Sequence, residues 1–375
     1  MQTHTLARLL AERGHEPLVV TFGPEAGERN GDGFRVLYLP YDNGRKSWGH
    51  MGGYLGAWRI LGRWLRRERP DVLHHVSGVE YFSILTGGLC RRLGIPSLVK
   101  YAGDLVWERL AHSGRDLERV EDVFDCNLTA RFLGRVERWV FGMYHRIWAT
   151  SRFQGGLLRD IHRVPDEKII EFPNLVELPP EAPAPERASK DALEILTVCR
   201  FAPWKRVDLT LRVFARLERP GVRLRIVGGE NPKLEAELRA LAQSLGVADR
   251  VDFTGAVSPL HVPDYFRRSD IFCASSIAEP FGIVFVEAMA AGLPVVASAV
   301  GGVPEVVPAG RAGFLVPPQD VPAMTARLQQ LVDDPALRAR QGAYGRQHVR
   351  RFDLAAQLDR VLGWYEDLLR TPKTG

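Results

Sequence analysis

Short runs of β-branched and aliphatic residues alternate, along nearly the whole chain, with stretches whose apolar positions recur every three or four residues. That alternation is the pattern of parallel α/β domains. In the first half it predicts strands at 17–22, 35–38, 72–74, 97–101, 146–149 and 169–172, with helices between them, as at 3–13 and 57–68. In the second half it predicts strands at 194–199, 223–227, 251–254, 271–274, 294–298 and 313–316. Between the halves, residues 179–190 read PPEAPAPERASK, a Pro-, Ala- and charge-rich composition that makes an extended linker. The expected fold class is therefore α/β: two doubly wound, Rossmann-like domains over 1–178 and 191–352, joined by the 179–190 linker and followed by a closing segment, 353–375.

The opening residues break the pattern. MQTHTLARLLAERGHEPLVVTF is already helix and then strand, whereas a doubly wound domain begins with a strand and a glycine-rich turn. Loss of a central strand would leave two edges and much apolar surface uncovered. The expectation is an N-terminally truncated first domain whose first strand lies before Met1.

Composition narrows the class. The 375 residues are 45% hydrophobic and 25% charged, as in ordered globular proteins. Cys90, Cys126, Cys199 and Cys273 lie far apart with no CxxC, which excludes a disulfide scaffold or zinc module and suits a reducing compartment. The longest uncharged run, 288–304, is broken by Gly292, Pro294, Gly301 and Gly302, so it does not read as a membrane span. No secretory signal pattern opens the chain, and the expected location is cytoplasmic, with peripheral contact on the inner face of the membrane. The net charge of +5 is modest; its distribution is what matters.

In open α/β sheets ligands bind beyond the carboxyl ends of the strands. Four strand ends of the second half reach unusual residues there. The first runs into Arg200 and Lys205 in RFAPWKR, and the second into Gly228, Gly229 and Glu230. The third leads through AEPFG (Glu279, Phe281, Gly282) to a helix near Ile283, and the fourth to Gly301 and Gly302 in GGVPE. Two cations, two glycine pairs and a helix start on one crevice form the equipment for a diphosphate. Taken singly, the two cations read equally well as solvated surface charges. Glu287 lies in IVFVEAMAAG, apolar enough to be buried on every side. A buried carboxylate needs donors, which vicinal ribose hydroxyls or a partner arginine would supply. Glu279, at the helix mouth, is placed for sugar hydroxyls.

Together these residues resemble the retaining nucleotide-sugar glycosyltransferases of family 4, which have the GT-B fold. The most specific stretch is EPFGIVFVEAMAAGLPVVAS, an E-x7-E motif, followed by GGVPEVV and GFLV. VCRFAPWKRVDLTLRVFARL, LRIVGGE and ATSRFQGGLLRDIHRVPDEKIIEFPNLVEL extend the likeness over almost the whole chain. The resemblance implies that Arg200 and Lys205 neutralise the donor diphosphate and that Glu287 binds the ribose. It implies that Glu279, with the backbone of Phe281 and Gly282, holds the donor sugar. The donor would be a UDP- or GDP-sugar, used without a cofactor or metal; no D-x-D occurs in the chain. It further implies a glycan or lipid-linked acceptor on the first domain, a setting in bacterial envelope or extracellular polysaccharide synthesis, and a last helix that returns to the first domain.

The sequence also departs from the family. Its usual first-domain glycine pair would precede Met1. In KYAGDL, Gly103 stands where many relatives have His, leaving Asp104 as a catalytic candidate. Residues 44–70 interleave Trp48, Tyr54, Trp58 and Trp64 with arginines, a composition suited either to an anionic membrane surface or to a helix with a solvated basic face. No reading motif for nucleic acid accompanies that charge. Two other functions fit parts of the pattern: a nucleotide-sugar binder without turnover, and a glycosidase or phosphorylase using Glu279 and Glu287 as a carboxylate pair. The second leaves the cations and glycine turns without a role.

Overall fold

The computed structural model describes residues 2–23, 25–40, 49–76, 81–101, 103, 128–178 and 193–370. The predicted linker at 179–190 lies outside them. The first half contains β1 (Leu18–Gly23), β2 (Gly27–Gly31), β3 (Phe34–Pro40), β4 (Leu73–His75), β5 (Ser97–Tyr101), β6 (Arg146–Ala149) and β7 (Ile169–Glu171). They form two sheets, ordered β1-β3-β2 and β4-β5-β6-β7. All pairings are parallel except β2 with β3.

Strand β2 is absent from the expected pattern. Its sequence, GERNG, is exposed at every position, so it carries no alternation to read. What makes it a strand is its turn: Asp32 and Gly33 sit at φ +40° and +86°. Two left-handed residues between Gly31 and Phe34 close a tight hairpin whose twist matches the strands.

Helices cover both faces of these sheets. On one face lie α2 (Gly49–Glu68) and α3 (Tyr81–Leu93), and beside them α4 (Leu128–Met143) and α5 (Arg152–Asp160). Leu61, Trp64 and Leu65 of α2 pack with Leu37 and Leu39 of β3 and Leu89 of α3. On the other face lie α1 (Gln2–Glu12) and the last helix. There Leu6 and Leu9 share a cluster with Leu98, Trp148, Trp364 and Leu368.

The facing edges of the two sheets, β1 and β4, are not hydrogen-bonded to each other. Leu18, Val20 and Phe22 of β1 nevertheless share one apolar cluster with Leu73 and Phe82, under the common layer of α2 and α3. This seam is the position that a doubly wound topology gives a central strand.

The second half is one parallel sheet ordered β10-β9-β8-β11-β12-β13. Its strands are β8 (Leu193–Val198), β9 (Val222–Val227), β10 (Val251–Gly255), β11 (Ile271–Ala274), β12 (Val295–Ser298) and β13 (Gly313–Val316). Alternate residues feed opposite cores, Ile195 to one and Leu196 to the other. Helices α6 (Val207–Phe214), α7 (Pro232–Ser244) and α11 (Val321–Asp333) cover the first face. The second is covered by α8 (Val262–Arg268), α9 (Ile283–Ala290), α10 (Val303–Val306) and α12 (Pro335–His348). The chain then returns: Val176 N–H donates to the Phe352 carbonyl and Leu354 N–H to the Val176 carbonyl, both at 2.9 Å. Helix α13 (Leu358–Arg370) packs on the first half, where the Tyr365 hydroxyl lies 2.9 Å from His74 Nδ1.

Because β1 and β4 are each paired on one side only, half of their amides lack a ladder partner. In native-state hydrogen exchange those amides are expected to exchange faster than the amides of β5, which is paired on both sides. Equal protection of β1, β4 and β5 would show that the seam is bridged in solution.

Candidate functional site

The crevice beyond the ends of β8, β9, β11 and β12 is built by close backbone approach. Past β8, Cys199 N–H donates to the Val227 carbonyl and Phe201 N–H to the Gly229 carbonyl, each at 3.0 Å. The two loops therefore run side by side. Gly228 sits at φ +146°, and a Cβ there would meet the Cys199 carbonyl oxygen at 1.7 Å, so no side chain fits. Glu230 follows in the left-handed region at φ +75°, an exposed and strained position.

The β8 loop then makes a single 3₁₀ turn, Pro203–Lys205, and Arg206 at φ +46° begins α6. It is fastened to the end of β11. Ser275 Oγ donates to the Arg206 carbonyl at 2.6 Å, and Ile277 N–H donates to the Trp204 carbonyl at 2.9 Å. This places Lys205 Nζ 2.5 Å from Glu279 Oε2, with the two side chains only 19% and 11% exposed. Arg200, by contrast, is exposed and forms no ion pair among the described residues.

Glu279 opens the EPFG loop into α9. Its carbonyl accepts from Gly302 N–H at 3.0 Å. Gly301, at φ +52°, approaches so closely that a Cβ would lie 2.2 Å from the same carbonyl oxygen. Gly282, at φ +88°, is the N-cap of α9, and no side chain caps it. The first amides of the helix, after Phe281 and at Gly282 and Ile283, thus keep their capacity for an anion, reinforced by the helix dipole.

Glu287 corrects one expectation. The helix is not buried all round: Phe285, Val286, Ala288 and Met289 face the core, while Ile283, Val284, Glu287 and Ala290 form a half-buried stripe. The Glu287 carboxylate has no hydrogen-bond or ion-pair partner among the described residues, so the arginine-paired alternative does not occur there. Burial without a partner pushes its pKa up to about 7.

The first half reaches this crevice too. Ser151, the N-cap of α5, donates from Oγ to the Pro280 carbonyl at 2.8 Å. Arg152 and Phe153 N–H groups donate to the Glu305 carboxylate at 2.9 and 3.0 Å. A carboxylate from the second half therefore satisfies the helix start of the first. Neither link is legible from sequence, because a capping pair is readable only when both partners are local. Deeper in the first half, Lys100 Nζ donates to Asn174 Oδ1 at 2.8 Å and stands 4.9 Å over the Trp148 ring. Burial pulls the Lys100 pKa down to about 8.

The structure thus gathers Lys205, Glu279, the glycine pairs and the start of α9, with Glu287 one turn further on. Asp104 lies outside the described residues, as does Trp48. Trp64 is 5% exposed and belongs to the core, so α2 offers arginines and a half-buried Trp58 to solvent rather than a tryptophan stripe. The Cys199 thiol beside the crevice is pushed up to about 11 by burial, which makes it a poor nucleophile. Among the described residues no cluster of three His, Cys, Asp or Glu side chains is placed to hold a metal ion. Nor is any described helix long and apolar enough to cross a membrane.

Two family models match the chain: the glycosyl transferase 4-like domain over residues 1–174, and glycosyl transferases group 1 over residues 180–348. D-inositol 3-phosphate glycosyltransferase of Streptomyces scabiei is 38% identical over 220 residues, which cover 54% of this chain and 49% of that protein. The chain thus spans about half the length of the curated relatives it matches. Sucrose-phosphate synthase of Thermosynechococcus elongatus superposes with a TM-score of 0.77 at 23% identity, covering 98% of this chain and 92% of that one. Anabaena HepE, solved in complex with UDP and glucose, gives 0.74 at 18% identity, covering 96% and 95%. At these identities the superpositions establish the shared GT-B architecture.

The raised pKa of Glu287 sets a stability window. A carboxyl held near 7 in the folded chain and near 4.5 when unfolded keeps its proton longer when folded, so stability falls as pH rises from about 4.5 to about 7. Glu287→Gln removes that loss. The variant is expected to match wild type at pH 4 and to exceed it by about 2 kcal/mol at pH 8 in urea unfolding, the linkage being discounted for half-burial. Equal stability at pH 8 would mean that the carboxylate is solvated or paired.

Proposed function

We propose, for a chain that belongs to the GT-B glycosyltransferases of the family 4-like type, that it transfers a hexose-like sugar from a UDP- or GDP-sugar to a glycan or lipid-linked acceptor. Transfer proceeds with retention and without a metal. The setting in this reading is cytoplasmic assembly of an envelope or extracellular polysaccharide. The observation that carries the donor assignment is the partnerless, half-buried Glu287 one helical turn from an uncapped helix start and the Lys205–Glu279 pair.

Each part then has a task. The ribose hydroxyls donate to Glu287, supplying the hydrogen bonds its burial demands. The diphosphate takes Lys205 from Glu279, draws in exposed Arg200, and lies against the amides of Gly229 and Gly301 in turns that the Gly228 and Gly302 amides hold closed, with Glu230 at the rim. Released from Lys205, Glu279 accepts sugar hydroxyls beside the Phe281, Gly282 and Ile283 amides. As the bond from the anomeric carbon to the phosphate oxygen breaks, charge builds on the diphosphate, where the cations and helix start stabilise it most. The acceptor oxygen bonds the same face of that carbon and gives its proton to the leaving phosphate oxygen. Among acceptors, a phosphorylated polyol joins the screen because the curated relatives are named for D-inositol 3-phosphate.

The carboxylate-pair hydrolase is the weaker reading. Glu279 is neutralised by Lys205, and the diphosphate equipment would have no use.

Calorimetric titration of the full chain with UDP, GDP and ADP in EDTA tests the proposal. One nucleotide is expected to bind selectively, and more tightly at pH 8 than at pH 6, because ribose hydroxyls prefer the ionised Glu287. Glu287→Ala should weaken that binding about tenfold, and Lys205→Ala should lower turnover about 100-fold with a smaller effect on binding. Absence of binding to all three by the folded protein, or unchanged values in both variants, would refute the assignment.

A further inference from the structure

The layer of α2, α3 and α4 turns toward solvent a surface that the donor crevice does not use. Helix α4 buries Val140 and Phe141 but leaves Phe132 64% and Trp139 59% exposed, two of the largest apolar side chains on the described surface. Seven residues apart, they stand two turns apart on one stripe of the helix. Arg135 lies between them and Arg138 beside them, both exposed.

The neighbouring helices continue the same charge. The Tyr144 hydroxyl, just past α4, donates to the Ser83 carbonyl of α3 at 2.7 Å, which fixes these two side by side. Helix α3 ends in exposed Arg91 and Arg92. Between α3 and α2 runs a groove of about 400 Å³ lined by Trp58, Arg59, Gly62, Arg63, Arg66 and Leu89. Acid is nearly absent from the three helices. Glu68 is held by Arg35 and Arg67, and Glu137 is 2% exposed. The outer face is basic with two aromatic residues standing out of it.

Single exposed hydrophobic residues are ordinary on any surface. Two large rings on one helical stripe, in a field of arginines with no exposed acid among the described residues of these three helices, call for a partner that is negative at its surface and apolar just beneath. We propose that this face docks on an anionic phospholipid bilayer. Phe132 and Trp139 enter the interface, where amphipathic rings are most stable, and the arginines grip lipid phosphates through their planar forks. A nucleic acid fits less well. Two rings about 10 Å apart along a helix cannot stack on successive bases spaced about 3.4 Å apart. The proposal rests on the fold and its surface alone, and it stands or falls independently of the donor chemistry. Such docking would hold the first half against the membrane while leaving the donor crevice of the second half open to soluble nucleotides.

Sedimentation of the full chain with phosphatidylcholine vesicles, and with vesicles of phosphatidylcholine and phosphatidylglycerol, supplies the test. The protein is expected to pellet with the anionic vesicles only, and less as salt rises. The double variant Phe132→Ser/Trp139→Ser, at exposed positions, should keep the wild-type melting temperature and lose about tenfold or more of its partitioning. Arg63→Glu/Arg135→Glu should lose a comparable factor. Failure to bind anionic vesicles at low salt would overturn the proposal, as would undiminished binding by both folded double variants. Binding to single-stranded RNA with no vesicle binding would overturn it in favour of a nucleic-acid face.

Discussion

Everything at the crevice depends on where the Glu279–Pro280 segment is held. Three parts of the molecule grip it at once. Gly302 donates to the Glu279 carbonyl from the β12 loop, Ser151 donates to the Pro280 carbonyl from the first half, and Lys205 pairs with the Glu279 carboxylate from the β8 loop. None of these contacts is local in sequence, and the first requires backbone within reach of backbone. That is why glycines at 301 and 302 are tolerated where any side chain would collide with the segment's carbonyls. The segment in turn sets the start of α9, and so the position of its free amides and of Glu287.

The same crossing point joins the two halves. Glu305 follows the Gly301–Gly302 turn and satisfies the first amides of α5, while the chain crossings at Val176 and Leu354 are bonded to each other. A carboxylate at a helix start is a modest, screened interaction, strong enough to orient two bodies and weak enough to release them. Lys205 and Glu279 match each other's charge within the crevice. A diphosphate entering it exchanges one counter-ion for another rather than meeting a bare ammonium.

Much of the fold was legible because strands buried on both faces write themselves as apolar runs. β5, β6, β11 and β13 fall at the residues the pattern predicts. β2 was not legible, since an exposed edge strand carries no such run and only its Asp32–Gly33 turn betrays it. In the crevice, the glycine pairs and cations could be read from residue type and strand position. The partnerships could not: Lys205 with Glu279 is a contact across 74 residues, and Ser151 and Glu305 act between halves. Glu287 was expected to be wholly buried, but helical periodicity sets it on a half-open stripe, because a mean apolar composition hides which face meets the core. Trp64 was legible as an aromatic among arginines, but not as core.

The central claim is that Lys205 and its surroundings form a cradle for a diphosphate rather than a site for a nucleoside or sugar alone. Its most direct test compares the affinity of nucleoside diphosphates with that of the corresponding monophosphates, UDP with UMP and GDP with GMP, in wild type and in Lys205→Met. A diphosphate cradle requires the diphosphate to bind at least about tenfold more tightly in wild type, and most of that advantage to vanish in the variant while monophosphate binding stays nearly constant. An equal affinity for mono- and diphosphate in wild type, or an advantage that survives the loss of Lys205, would contradict it.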